Sequence, residues 1–213
     1  MQDANQSSPE TTEPERPSQP DFDLDLASVI SGIIWVILGA LLIYFFHDQS
    51  VTEIFSAGQE IWLQLLWGIS FGCLFGLAGY AMFKNPKLRS VLDDYFIIRQ
   101  LKEFDISKSQ IIHISLVAGI TEEFLFRAAI QPLIGIWLTS LLFIGIHGYI
   151  RLKTPIHFFF TLFTFLLSMM LGYLFIYSGI IAAMAAHAVY DMIVLWVVKN
   201  DTSPESGATR LFR

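Results

Sequence analysis

The stretch Leu116–Leu133, "LVAGITEEFLFRAAIQPL", has the apolar content of a membrane helix, yet it carries Glu122, Glu123 and Arg127 near its middle. A charged side chain at the centre of a bilayer costs about 2.5 to 3.5 kcal/mol on insertion scales. Three of them so close together need partners, a watery cavity or a use.

The rest of the chain makes the membrane reading general. Of its 213 residues 54% are hydrophobic and only 15% are charged. The apolar residues come in long blocks, which places the chain in the membrane class. Residues 1–27 are polar, acidic and proline-containing, and are read as a disordered tail because they offer too little apolar surface to bury. They lack the basic region and small-residue cleavage site of a signal peptide. A membrane domain is expected over 28–199, and a short C-terminal tail over 200–213.

Six apolar blocks predict six transmembrane helices: Ser28–Phe46, Ile61–Phe83, Ser109–Gln131, Leu133–Ile150, Pro155–Tyr177 and Gly179–Val198. Each is close to the roughly 20 residues that cross a bilayer. Lipid leaves no partner for free backbone groups, so the runs are helical and the fold class is an all-α polytopic bundle. Between the second and third blocks, "YFIIRQLKEF" has the pattern of an amphipathic interfacial helix. With both termini cytoplasmic, twelve of the thirteen Lys and Arg residues fall on the cytoplasmic side, and the thirteenth is Arg127 inside a span. A net charge of −6 with the basic residues confined to membrane-face loops gives no sign of nucleic-acid binding. The single cysteine, Cys73, excludes an intrachain disulfide framework.

Four charged residues lie within spans, namely Glu122, Glu123, Arg127 and Asp191, together with His147 and His187. Glu123 and Arg127 stand four apart and share a helix face, so they can pair. Glu122 points about 100° away from that face. His187 and Asp191 are likewise four apart, as are Phe143 and His147. Three helices thus project polar groups that, once converged, make one acidic intramembrane site. Two Glu and one Asp against one Arg leave two negative charges to be offset by protons, by imidazolium or by a cation. Glu122, His147 and His187 also form a ligand set suited to zinc with an open water position. The sequence leaves open whether Glu and His activate a bare or a metal-bound water.

Blander readings bound this one. A structural ion pair needs only one of the two Glu residues. His47, His113 and His157 lie near span ends, where interfacial placement is the default. "GISFG", Gly68–Gly72, fits the nucleophile-elbow pattern, but it sits inside a span rather than at a strand–turn–helix junction. Small residues there serve close helix packing. No H-E-x-x-H is present, and an aspartate dyad is unavailable with Asp191 the sole in-span Asp.

The assembled residues, E-E-x-x-x-R at Glu122, Glu123 and Arg127, F-x-x-x-H at Phe143 and His147, and H-x-x-x-D at His187 and Asp191, resemble the CAAX-protease and bacteriocin-processing (CPBP, or ABI) family. That family includes the type II CAAX prenyl endopeptidases. The resemblance covers about residues 109–195. It implies an intramembrane endopeptidase in which Glu122, helped by His147, activates water. It further implies that His187 and the 191 position stabilise the oxyanion, with Glu123 and Arg127 in support. Many members carry Asn where this chain has Asp191, and Asp lacks the amide donor. The substrate is expected to be a membrane-associated or prenylated peptide or protein, and the location a prokaryotic inner membrane. Two other functions fit the same residues: a membrane adaptor or bacteriocin-immunity protein without proteolysis, and a proton or cation carrier.

Overall fold

The computed structural model describes residues 23–104 and 106–201, and every regular element among them is helical. The expected acidic tail lies outside the described residues up to position 22. Its last residues, Leu24–Ala27, form the first turn of helix α1 (Leu24–Phe46), which Asp23 caps by accepting from the backbone N–H groups of Asp25 and Leu26. A short helix α2 (Val51–Ser56) follows, closed by a Ser50–Glu53 capping box. Then come α3 (Ile61–Lys84), α4 (Pro86–Leu92) and α5 (Phe96–Glu103). The last of these is the helix expected in "YFIIRQLKEF".

The charged stretch itself departs from a plain helix. Helix α6 (Lys108–Glu123) runs into a π-helical segment (Phe124–Ile130) and then into α7 (Gln131–Ile146). Helices α8 (Pro155–Tyr177) and α9 (Ile180–Asp201) complete the bundle. Among the described residues, five helical elements are long and apolar enough to cross a membrane, and one of them, Lys108–Ile146, spans 39 residues. At the helical rise that is about 58 Å, nearly twice the hydrocarbon thickness.

Gly135 resolves the excess. Its backbone leaves the helical region at φ 80 and ψ 164, which suits glycine, and the chain folds back there. Phe126 and Phe143 would lie about 25 Å apart on a straight helix, yet their rings are 4.9 Å apart, edge to face. The third and fourth expected spans are therefore two helical arms folded into a hairpin, and they divide at Gly135 rather than near Pro132. The return arm is also shorter than expected, ending at Ile146 rather than Ile150.

Two faces of the bundle follow from the contacts. The start of α1 meets α6 through Asp25 and His113, and the end of α9 meets the start of α6 through Lys199 and Ile106. This basic face also carries Asn85 at the end of α3 and His157 at the start of α8, the latter bonded to Asp94. The opposite face carries His47, whose Nε2–H donates to the Ala129 carbonyl at 2.8 Å, and the α8–α9 turn at Ser178. Both described ends thus lie on one face. Gln64 pins the opposite face, accepting from the Ile181 N–H at 3.1 Å and donating to the Gln59 carbonyl at 2.8 Å.

Close backbone approach holds α3 on α9. A Cβ on Gly68 would lie 2.6 Å from the Ala182 carbonyl oxygen, and one on Gly72 would lie 2.7 Å from that of Ala186. The apparent elbow "GISFG" is thus a packing stripe. Gly72→Ala drives a methyl into the α9 backbone, an overpacking that costs about 1–3 kcal/mol. It lowers the thermal unfolding temperature in detergent. Gly145→Ala, where the nearest neighbour is Ile150 Cδ1 at 3.6 Å, serves as the control and leaves that temperature nearly unchanged.

Candidate active site

The site forms where α6, α7 and α9 meet, and glycine makes that meeting possible. A Cβ on Gly119 would lie 2.8 Å from the Ala188 backbone nitrogen and 2.9 Å from the Met184 carbonyl oxygen. One turn further along α6, that closeness lets Glu123 reach His187. Both Glu123 oxygens are occupied: Arg127 Nε donates to Oε2 at 2.9 Å, and His187 Nδ1 donates to Oε1 at 2.8 Å. Glu123 and Arg127 are wholly buried.

The other two Arg127 nitrogens are engaged as well. Its Nη2 donates to Ser168 Oγ at 2.9 Å, and its Nη1 lies 3.5 Å from Gln131 Oε1. Gln131 in turn donates through Nε2 to the Gly172 carbonyl at 3.1 Å. The guanidinium also sits 5.5 Å from the centre of the Phe143 ring. This is a satisfied buried network, the condition under which burying charge is tolerable.

Glu122 is different. His147 Nε2 approaches its Oε2 at 3.3 Å, yet the alignment falls short of a hydrogen bond. Glu122 Oε2 is buried with no hydrogen-bond partner among the described residues. The expected division therefore holds in the geometry: Arg127 takes Glu123, and Glu122 is left to the cavity. His147 is held for that cavity. Its Nδ1–H donates to the Phe143 carbonyl at 2.7 Å, which fixes the tautomer and directs Nε2 toward Glu122. Its ring lies between Phe143 at 4.4 Å and Tyr149 at 5.7 Å, near parallel to both.

The hairpin explains how His147 reaches the depth of Glu122. The return arm stops at Ile146, and His147 caps it with a backbone N–H bond to the Phe143 carbonyl. The chain from His147 to Thr154 then climbs without helix toward α8. Thr161 steadies it, its hydroxyl lying 2.7 Å from the Tyr149 carbonyl oxygen and accepting from the Arg151 N–H at 3.1 Å.

His187 and Asp191 are also brought in, with one difference from the expected arrangement. His187 bonds Glu123 rather than Glu122, and its Nε2 lies 3.5 Å from Asp191 Oδ2. Two carboxylates facing its two nitrogens suit a ring with both nitrogens protonated. Glu122, His147, His187, Asp191, Tyr149 and Tyr190 share one cavity of about 260 Å³, whose other walls are mostly apolar side chains. Among the described residues, no three His, Cys, Asp or Glu side chains converge closely enough to hold a metal ion. Of the residues Glu122, His147 and His187, the last has its Nδ1 engaged by Glu123.

The other histidines find partners outside the site. His113 Nδ1 bonds Asp25 at 2.7 Å. His157 Nε2 bonds Asp94 at 2.9 Å, and that bond holds the Asp94 carboxyl below its usual range. Sequence reasoning missed Gln131, Ser168, Tyr149 and Tyr190. A polar residue four along from Arg127 was a usable signal for Gln131, whereas Ser168 and the tyrosines became visible only through the fold.

No curated protein matches the chain, and no solved structure does. Residues 106–193, which contain Glu122, Glu123, Arg127, His147, His187 and Asp191, match the family described as type II CAAX prenyl endopeptidase Rce1-like. This segment, which carries the three spaced motifs, is what the chain shares with that family.

Proposed function

We propose that the protein is an intramembrane endopeptidase whose Glu122 and His147 activate a water molecule for attack on a peptide bond. One observation carries the reading: of two adjacent buried glutamates, Glu123 is fully engaged and Glu122 Oε2 faces His147 Nε2 with no hydrogen-bond partner among the described residues. A structural ion pair accounts for the first and leaves the second unexplained. A water donating to both the carboxylate and the Nε2 lone pair satisfies both groups and is polarised for attack.

The chemistry then runs on this chain's residues. Water oxygen bonds to the carbonyl carbon, its proton passes to Glu122, and the carbonyl π pair moves onto oxygen. His187, held through Nδ1 by Glu123, presents Nε2 toward that oxygen. As the intermediate collapses the C–N bond breaks, and the leaving amine takes the proton from the Glu122–His147 pair. The positive-inside pattern makes the basic face cytoplasmic, so that clients are membrane-associated or prenylated peptides entering from that side.

The test uses the purified full chain in detergent with a farnesylated C-terminal CAAX peptide and with unmodified membrane peptides. His147→Ala lowers cleavage by about 10²-fold or more. Cleavage undiminished by His147→Ala sinks the assigned site. Peptide binding without Glu122- or His147-dependent cleavage points instead to an adaptor.

A further inference from the structure

The geometry points to the Tyr149 hydroxyl as a hydrogen-bond donor to the carbonyl oxygen under attack, a role that rests on the peptidase reading above. Stabilising a developing oxyanion calls for preorganised donors. Asp191 stands beside His187 Nε2 at 3.5 Å, but a carboxylate accepts and does not donate. His187 therefore needs a companion donor, and the cavity offers two hydroxyls, those of Tyr149 and Tyr190.

Tyr149 is the better placed. Its ring lies 5.7 Å from His147 at an interplanar angle of 19°, two residues past the group that activates water. It is braced on its other side by edge contacts with Tyr95 at 6.1 Å and Phe160 at 5.8 Å. Its backbone is fixed at both ends, the N–H donating to the Ile144 carbonyl at 2.9 Å and the C=O held by Thr161 at 2.7 Å. No hydrogen bond to the hydroxyl is found among the described residues, and Tyr149 lines the same cavity as Glu122 and Asp191. Tyr190 lies on the α3 side of the same cavity. A Cβ built on Gly79 would lie 4.0 Å from its hydroxyl oxygen, which places that oxygen against α3. A rigid donor on a braced ring, beside both the activating pair and Asp191, is what an oxyanion site requires.

The roles balance. Tyr149 O–H keeps its proton and donates a hydrogen bond to the oxygen that gains the carbonyl π pair. No proton transfer from the phenol is needed, and the bond relaxes when the carbonyl re-forms with loss of the amine.

The test is Tyr149→Phe, which keeps the ring against His147 and deletes the donor. Cleavage of the farnesylated CAAX peptide by the full chain is followed with kcat and KM separated. The expected result is a fall in kcat of about 10²- to 10³-fold, the usual loss for one oxyanion donor, with KM nearly constant. Asp191→Asn placed in the Tyr149→Phe chain restores part of kcat, because the amide supplies an N–H near the same oxygen. A merely structural tyrosine gives no such rescue. An unchanged kcat in Tyr149→Phe overturns the assignment, as does a loss found with Tyr190→Phe in its place. If Glu122→Gln leaves cleavage intact, or the wild-type chain shows no cleavage, the peptidase reading fails and takes this assignment with it. If Glu122→Gln is inactive and Tyr149→Phe is not, this assignment alone fails.

Discussion

Exchanging Glu122 for glutamine lowers kcat for peptide cleavage by about 10²- to 10⁴-fold, the usual contribution of a positioned general base. Unfolding temperature stays within a degree or two of wild type. Both halves follow from the position of this side chain. Its Oε2 has no hydrogen-bond partner among the described residues, and Arg127 is bound to Glu123 instead. The amide therefore breaks no bond that holds the bundle together. It also lacks the basicity to take a proton from water. Near-isosteric shape keeps the cavity filled, and His147 keeps its Nδ1–H bond to the Phe143 carbonyl. Steady-state kinetics on the purified chain, with a melting curve on the same preparation, separates the two effects. A large drop in melting temperature would place Glu122 among the structural residues and count against its assigned role.

The second large effect is on stability. Arg127→Met removes the guanidinium that bonds Glu123 through Nε and deletes the bond to Ser168. Truncating one partner of a buried pair costs about 3–5 kcal/mol, because the other charge is left uncompensated. The loss is greater than the packing change alone, since Met fills much of the same space. Adding Glu123→Gln to Arg127→Met recovers part of the stability by removing the stranded carboxylate. Thermal unfolding in detergent of the wild type, both single variants and the double variant forms the cycle. Purely additive losses would mean that the pair is not coupled, contrary to the 2.9 Å bond.

Much of this site is readable from spacing alone. Residues four apart on a helix must face together, so Glu123 with Arg127 and His187 with Asp191 follow from the sequence. Apolar block lengths likewise locate α1, α3, α8 and α9 to within a few residues. Two features escape such reading. The first is the π-helical segment Phe124–Ile130, where the Gln131 N–H reaches back five residues to the Phe126 carbonyl; its residues are ordinary helix formers, and packing decides the winding. The second is the reversal at Gly135, because the conspicuous helix breaker nearby is Pro132. Proline is tolerated in the first turn of a helix, and it stands in that turn of α7. The partner chosen by His187 was also hidden, since it depends on how closely α6 and α9 approach at Gly119.

The short return arm has a consequence for the surrounding lipid. From Ile136 to Ile146 it rises only about 16 Å, half of the hydrocarbon thickness. Its outward side chains, Trp137, Leu138 and Leu141, are exposed and apolar, so acyl chains must meet it. A bilayer confronted with too short a hydrophobic surface thins to match it. Next to α7 the headgroup region of the basic face is therefore drawn inward toward His147. A bilayer thinned beside α7 shortens the lipid-side distance between the basic face and the depth of His147.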